Sequence, residues 1–224
     1  KKEMKPHNSD EELAMLSLME GDAQVAMGAY LGRIGGAPVG RTLRRIADAT
    51  KDVPVASIAH ADEAKGLARE QERLDFPYTD GMMFVADLYR AGGYDLVAKA
   101  FDDPPKSSAQ IIHPARYLAG DDPRPIAPLA LPKGAAVLVD DSLGELDTRI
   151  LLERCLEKAK AVSAADGWTG DRYTVFRGAD GNTALAWVSA WSSEAEAKEM
   201  EEALGRSDER RAGKECRSRS SADD

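Results

Sequence analysis

A proline-rich stretch, residues 120–133, is the feature that most constrains the fold, because the hydrophobic pattern differs on its two sides. Before it, apolar residues recur at helical spacing in long segments. After it, short runs rich in β-branched and aromatic residues are mixed with amphipathic segments, which is typical of strands and helices together. Proline-rich sequence without a helical period is typical of an extended connector. The sequence therefore predicts an α+β protein built of two parts.

The pattern predicts four regions along the chain. Residues 1–119 form a mainly α-helical part, residues 120–133 the connector, residues 134–205 a small β-α-β-β-α domain, and residues 206–224 a disordered polar tail. Within the α+β domain we expect one amphipathic helix over residues 146–165 and a hairpin turn at residues 179–182. The order of elements predicts a small antiparallel sheet with helices on one face.

Three local signals set the expected helix boundaries in the first part. Ser9 followed by Glu12 fits a capping box at the start of the first helix. The sequence Asp75-Phe76-Pro77 predicts an interruption, because proline removes a backbone donor from a helix. The pair Gly92-Gly93 predicts the end of a buried helix, since glycine adopts the conformation that ends helices.

Composition excludes several classes of protein. The chain has 224 residues, 43% of them hydrophobic, and a formal net charge of −9, which gives no electrostatic footprint for nucleic acid or an anionic membrane. No apolar run reaches the roughly 18 residues of a membrane span, and the first residues lack the apolar segment of a signal peptide. The only two cysteines, Cys155 and Cys216, are too few for a disulfide framework and lack zinc-site spacing.

Glu20 is the strongest local anomaly. At heptad-like spacing it shares one face of the first helix with apolar residues, namely Leu13, Leu16, Ala23 and Met27. A buried ionised carboxylate requires a compensating partner. We expect either a salt bridge to an arginine such as Arg44 or Arg45, a protonated side chain, or a role as a metal ligand or catalytic carboxylate.

The segment Glu20-Gly21-Asp22-Ala23 resembles the third-ligand helix of the gluzincin zinc metallopeptidases, whose EGxA motif follows an HExxH helix. Residues 76–118 resemble the stretch downstream of that helix in a bacterial group of predicted metallopeptidases. They carry in order G-x-x-F-V, G-G, P-P-x-S and HP-x-x-Y-L. Similarity in the C-terminal part extends the resemblance over about residues 9–205.

The resemblance implies that Glu20 is the third ligand of a His-His-Glu zinc site with an open position for water. The chain departs from the family pattern, because it has no HExxH. Its three histidines are His7, His60 and His113, and no two of them stand four residues apart. Zn²⁺ is therefore expected only with histidine ligands from outside this chain, on an upstream segment or a second chain.

His113 and Tyr117 are candidate oxyanion stabilisers by the same resemblance, which places a His or Tyr near the metal in that role. The alternative is structural: His113 caps a short helix and Tyr117 packs in the core. The pairs Asp102-Asp103 and Asp121-Asp122 precede prolines and are interpreted as turn formers more readily than as cation ligands. Three tryptophans, Trp168, Trp187 and Trp191, are expected to fill the core of the C-terminal domain.

Two functional hypotheses follow. The first is the C-terminal portion of a gluzincin-like zinc metallopeptidase, which would not hydrolyse peptides as this chain alone. The second is a degenerate peptidase homologue, a non-catalytic binding or assembly subunit in which Glu20 is neutralised by arginine. By analogy with the family, the protein would be exported or lipid-anchored.

Overall fold

A computed structural model describes residues 6–50, 67–154 and 156–205. The fold is α+β, as the sequence predicts. The chain divides into two compact units, Lys1–Pro123 and Arg124–Asp224, and the division falls inside the stretch predicted to be a connector. The predicted polar tail, both cysteines and the histidine His60 lie outside the described ranges.

Helices make up the regular structure of residues 6–50 and 67–123, the described part of the N-terminal unit. They are α1 Ser9–Ile34, α2 Val39–Thr50, α3 Leu67–Ala100, α4 Ser108–Ile112 and α5 Pro114–Ala119. The core lies where α1 and α3 pack together, around the fully buried side chains of Leu18, Val25, Phe84 and Leu88. Burial of such side chains is the main source of stability for a helical unit.

Asn8, and not Ser9, caps α1. The Asn8 side-chain oxygen accepts a hydrogen bond from the backbone N–H of Glu11 at 2.9 Å. The predicted capping box of Ser9 and Glu12 is therefore wrong, since the helix begins one residue earlier than that motif requires. Asparagine and serine are similarly good caps, so local preference could not choose between neighbours.

α3 runs through Pro77 without a break, and the predicted interruption is wrong. Phe76 and Pro77 are both buried, and the Thr79 hydroxyl donates to the backbone carbonyl of Asp75 at 3.1 Å. Burial of Phe76 favours the helix over the propensity of proline. At Gly92-Gly93 the backbone does leave helical geometry, with φ of 69° at Gly93, so the predicted helix end is confirmed as a kink between two helical stretches.

An antiparallel sheet of three strands in the order β1-β2-β3 is the centre of the C-terminal unit. The strands are β1 Ala136–Asp141, β2 Trp168–Arg177 and β3 Thr183–Trp191. The predicted hairpin is confirmed: the N–H of Gly178 donates to the carbonyl of Asn182 at 2.8 Å, and Gly181 has a φ of 81°. Glycine occupies such left-handed turn positions without steric cost.

The predicted single helix over residues 146–165 is wrong, because two helices occupy this segment. α6 is Gly144–Leu152 and α7 is Lys158–Asp166, and a further helix, α8, covers residues 194–205. Leu152, Ala161 and Met200 bury their side chains in one core, against which Trp187 and Trp191 pack. A bend between α6 and α7 lets both helices direct apolar residues into that core.

Trp168 is almost completely buried, whereas Trp187 and Trp191 are partly buried, so the core role predicted for the tryptophans is confirmed. Among the helices in the described ranges, none combines the length and the hydropathy that crossing a bilayer demands.

Candidate functional site

The outer face of α1, defined by Leu16, Met19, Glu20, Ala23 and Met27, is open to solvent. Its three large apolar side chains are between 42% and 56% exposed. The face that α1 buries is a different one, formed by Leu13, Ala14, Ser17, Leu18, Gly21, Val25 and Ala29. Because α1 is apolar nearly all round, periodicity could not tell which face would be buried.

Glu20 is half-buried on this outer face, and the prediction that it sits in a dry stripe is wrong. A carboxylate with access to water needs no arginine, proton or metal to offset its desolvation. The physical argument for a compensating partner therefore does not hold for this chain by itself. The assignment of Glu20 as a metal ligand stays a prediction that depends on the family resemblance.

Gly21, the residue after Glu20, lies at a very close crossing of α1 and α3. A Cβ atom on Gly21 would stand 2.1 Å from the carbonyl oxygen of Gly81, and one on Gly81 would stand 2.2 Å from that of Ser17. No larger side chain fits either position without moving a helix. The glycine of the EGxA segment is thus explained by helix packing.

Asp22 connects α1 to the helical stretch after the Gly92-Gly93 kink. Its Oδ1 atom accepts a hydrogen bond from the Tyr94 hydroxyl at 3.1 Å. Burial, followed by the charge and the hydrogen bond of Asp22, raises the pKa of Tyr94. Tyr94 therefore keeps its proton and acts as a donor across the physiological range.

His113 lies between two short helices, α4 and α5. It is the C-cap of α4 and the N-cap of α5, where its side chain makes no capping hydrogen bond. Its backbone N–H donates to the carbonyl of Ala109 at 2.9 Å, and its carbonyl accepts from the N–H of Arg116 at 2.8 Å. The backbone of His113 is thus fixed by both helices.

Tyr117 is engaged in structural contacts. Its hydroxyl donates to the carbonyl of Asp103 at 2.8 Å, and its ring meets the ring of Phe84 edge-on with centroids 5.3 Å apart. Burial, followed by the charge of Asp103, raises the pKa of Tyr117. An oxyanion could use this hydroxyl only after its bond to Asp103 broke, so the geometry favours the packing role.

Three of the four aspartates that stand near prolines lie close to the protein's own cations. Lys106 pairs with Asp122 and lies 3.9 Å from Asp103, and the hydrogen bond that Lys106 donates to Asp122 is the main cause of a raised pKa at Lys106. Arg116 Nε lies 3.0 Å from an oxygen of Asp121. These carboxylates form ion pairs within the segment around α4 and α5. A structural role of this kind agrees with their interpretation as turn residues.

Asp171 on β2 is a buried carboxylate that sequence reasoning missed. Its Oδ1 accepts from the Ser142 hydroxyl at 2.7 Å, the Gly144 N–H at 3.0 Å and the Trp168 indole N–H at 3.2 Å. Its Oδ2 accepts from the Leu143 N–H at 3.0 Å and the Trp187 indole N–H at 2.9 Å. Five donors thus converge on one side chain.

These contacts give Asp171 an architectural role. The N–H groups of Leu143 and Gly144 belong to the start of α6, where a negative charge is favoured by the unpaired backbone donors and the helix dipole. Asp171 therefore caps α6 from a neighbouring strand and holds two tryptophans of the core. The sequence signal was an aspartate inside a strand, a position that aspartate seldom occupies.

Similarity to known proteins is limited to the C-terminal unit. Residues 136–223 match a family model described as a domain of unknown function, DUF8575. The match covers less than half of the chain, contains Asp171 and its partners, and does not include α1. Comparisons with curated proteins and with solved structures gave no match.

Proposed function

We propose that this chain is the C-terminal portion of a gluzincin-like zinc metallopeptidase in which Glu20 supplies the third metal ligand. The observation that carries the proposal is the position of half-buried Glu20 at the edge of the open apolar face of α1. Side chains such as Leu16 and Met27 on that face favour contact with another apolar helix. The proposal assigns that place to a helix with the HExxH sequence, from an upstream segment or a second chain.

Docking of such a helix would change the environment of Glu20. The contact would remove the outer face from water, and the carboxylate would then require a compensating cation. Two imidazoles and one carboxylate are the ligands of a zinc site that activates water. Gly21, held against Gly81, fixes the orientation of α1 and hence the direction in which Glu20 points.

This chain alone cannot complete the zinc site proposed around Glu20. Glu20 is one ligand of three, and the sequence has no two histidines four residues apart. Hydrolysis of peptides is therefore expected only from the assembly of this chain with the histidine-bearing helix. A peptide substrate, if the assembly is active, would bind there.

A second candidate function is a non-catalytic binding or assembly subunit. The same open face of α1 favours it, because docking of a partner helix requires no metal. An arginine of the partner would then neutralise Glu20 when the contact excludes water. The two candidates agree on the docking face and differ only in what meets the carboxylate.

Zinc content of the intact protein purified from its source organism separates the candidates. We expect bound zinc in the wild-type assembly and loss of most of it in Glu20→Gln, because the amide is a much poorer ligand. Glu12→Gln is the matched control, since Glu12 is an exposed glutamate on the same helix. Wild-type protein without zinc, or equal zinc in Glu20→Gln and Glu12→Gln, would exclude the metallopeptidase proposal and leave the assembly subunit.

A further inference from the structure

The corner between α1 and α2, residues 31–46, exposes large apolar side chains at its tip. Leu31 is 60% exposed, Ile34 is 68% exposed, and Val39 is also exposed. Leu31 and Ile34 are three residues apart in the last turn of α1, so they share one side of the helix. Soluble surfaces seldom group such side chains without a binding role.

The same corner carries only positive charge. Residues 31–46 include four arginines and no acidic residue, so the other residues carry a formal net charge of −13, since the whole chain carries −9. The arginines are Arg33, Arg41, Arg44 and Arg45, all exposed. Within the described residues, none of the four takes part in an ion pair.

Hydrogen bonds and close packing fix the shape of the corner. The N–H of Ala37 donates to the carbonyl of Gly32 at 2.9 Å, and the N–H of Arg41 donates to that of Pro38 at 2.9 Å. A Cβ on Gly32 would stand 2.3 Å from the Thr42 hydroxyl oxygen, so the two helices touch at this glycine. The turn that carries the apolar tip is therefore held in one conformation by both helices.

The position of the arginines relative to the tip indicates the class of partner. Arg33 and Arg41 lie beside the turn, and Arg44 and Arg45 follow one helical turn later, about 5 Å further along α2. Apolar side chains that enter a bilayer surface reach roughly 5–10 Å below the headgroups. Guanidinium groups one turn behind them would then lie at the level of the lipid phosphates.

We propose that this corner is a docking site for an anionic phospholipid surface, with Leu31, Ile34 and Val39 inserted between headgroups and the arginines on the phosphates. The proposal does not depend on the function assigned to Glu20. It also explains how an acidic protein can approach an anionic membrane, because four arginines without an acidic neighbour surround the exposed apolar tip. Nucleic acid is a less fitting partner, since its backbone offers no apolar phase for the tip.

Co-sedimentation of the full chain with lipid vesicles tests the proposal. We expect binding to vesicles of phosphatidylcholine with about 30% phosphatidylglycerol, weakened by high salt, and little binding to phosphatidylcholine alone. Arg44→Gln with Arg45→Gln should weaken binding about thirty-fold, since each basic side chain near a membrane contributes about fivefold. Ile34→Ser should weaken it about tenfold through loss of the inserted side chain.

Matched controls come from the C-terminal unit. Arg177→Gln removes an exposed arginine, and Leu185→Ser removes an exposed leucine, 62% of whose side chain is accessible; both should bind vesicles like the wild type. No binding of the wild type to anionic vesicles, or equal losses in the controls, would overturn the proposal. Binding to a DNA duplex as tight as to vesicles, and unchanged in Ile34→Ser, would overturn it in favour of a nucleic-acid surface.

Discussion

At the scale of single residues, Asp171 has the densest set of polar contacts among the hydrogen bonds described for this chain. Five donors converge on a carboxylate that is 7% exposed. Four of them are N–H groups, which cannot turn into acceptors. A side chain that accepts at both oxygens is therefore required at this position.

Asp171→Asn should destabilise the C-terminal unit by about 3 kcal/mol, because the amide NH₂ would face at least two fixed donors whichever way it turned. Urea unfolding followed by tryptophan fluorescence measures this unit alone, since all three tryptophans lie in it. Glu201→Gln, on the exposed side of α8, is the control and should have the same urea midpoint of unfolding as the wild type. An unchanged midpoint for Asp171→Asn would show that the five hydrogen bonds contribute little.

Asp140 on β1 makes a pH-dependent contribution to the stability of the sheet. Arg172 Nε donates to its Oδ1 at 2.8 Å and Thr174 Oγ1 donates at 3.1 Å. The hydrogen bond from Arg172 is the main cause of a lowered pKa at Asp140. A pKa that is lower in the folded state means that folding favours the ionised carboxylate.

The stabilisation by Asp140 should be fully present above its unfolded pKa of 3.8 and be lost as the pH falls through the lower folded value. The pair is partly exposed, so we expect Asp140→Asn to cost no more than about 1 kcal/mol at pH 7. Urea midpoints of wild type and variant should differ at pH 7 and converge below pH 3.8. A difference that stays constant down to the acid limit would mean that the pair does not titrate.

At the scale of elements, the crossing of α1 and α3 decides which side of α1 remains open. Gly21 and Gly81 let the two backbones meet, and this contact turns Ser17 and Val25 inward. The opposite side, with Glu20 at its edge, is left to solvent or to a docking partner. The orientation of a candidate ligand is thus set by a packing contact of its neighbour.

Gly21→Ala should destabilise the N-terminal unit by about 3 kcal/mol or more, because its methyl group would overlap the Gly81 carbonyl and force the helices apart. Gly40→Ala is the control: a Cβ on Gly40 meets nothing within 4 Å, so alanine should be neutral or stabilise α2 by up to about 1 kcal/mol. Thermal unfolding followed by circular dichroism at 222 nm compares the two. If both variants melt at the same temperature, the close crossing of α1 and α3 is not essential for the stability of the N-terminal unit.

At the scale of the whole molecule, the two units carry different features. The helical unit contains the residues of the proposed peptidase site and the basic corner, and the C-terminal unit contains the matched domain of unknown function. The uneven distribution of charge, with four arginines and no acidic residue in residues 31–46 of an acidic chain, is why the proposed membrane attachment is assigned to one corner. The net charge of the whole chain did not indicate it, because a sum over all residues hides a local cluster.

The sequence by itself determined the α+β class, the hairpin at residues 179–182 and the kink at Gly92-Gly93, because hydrophobic period, turn residues and glycine act over a few neighbours. Tertiary structure alone decided that Pro77 stays within a helix, that α6 and α7 are separate, and that five donors meet on Asp171. It also decided that Glu20 is only half-buried, because α1 is apolar on nearly every side and the close approach of Gly21 to Gly81 selects the side that is buried. Contacts between residues far apart in sequence leave no periodic trace, and burial depends on them.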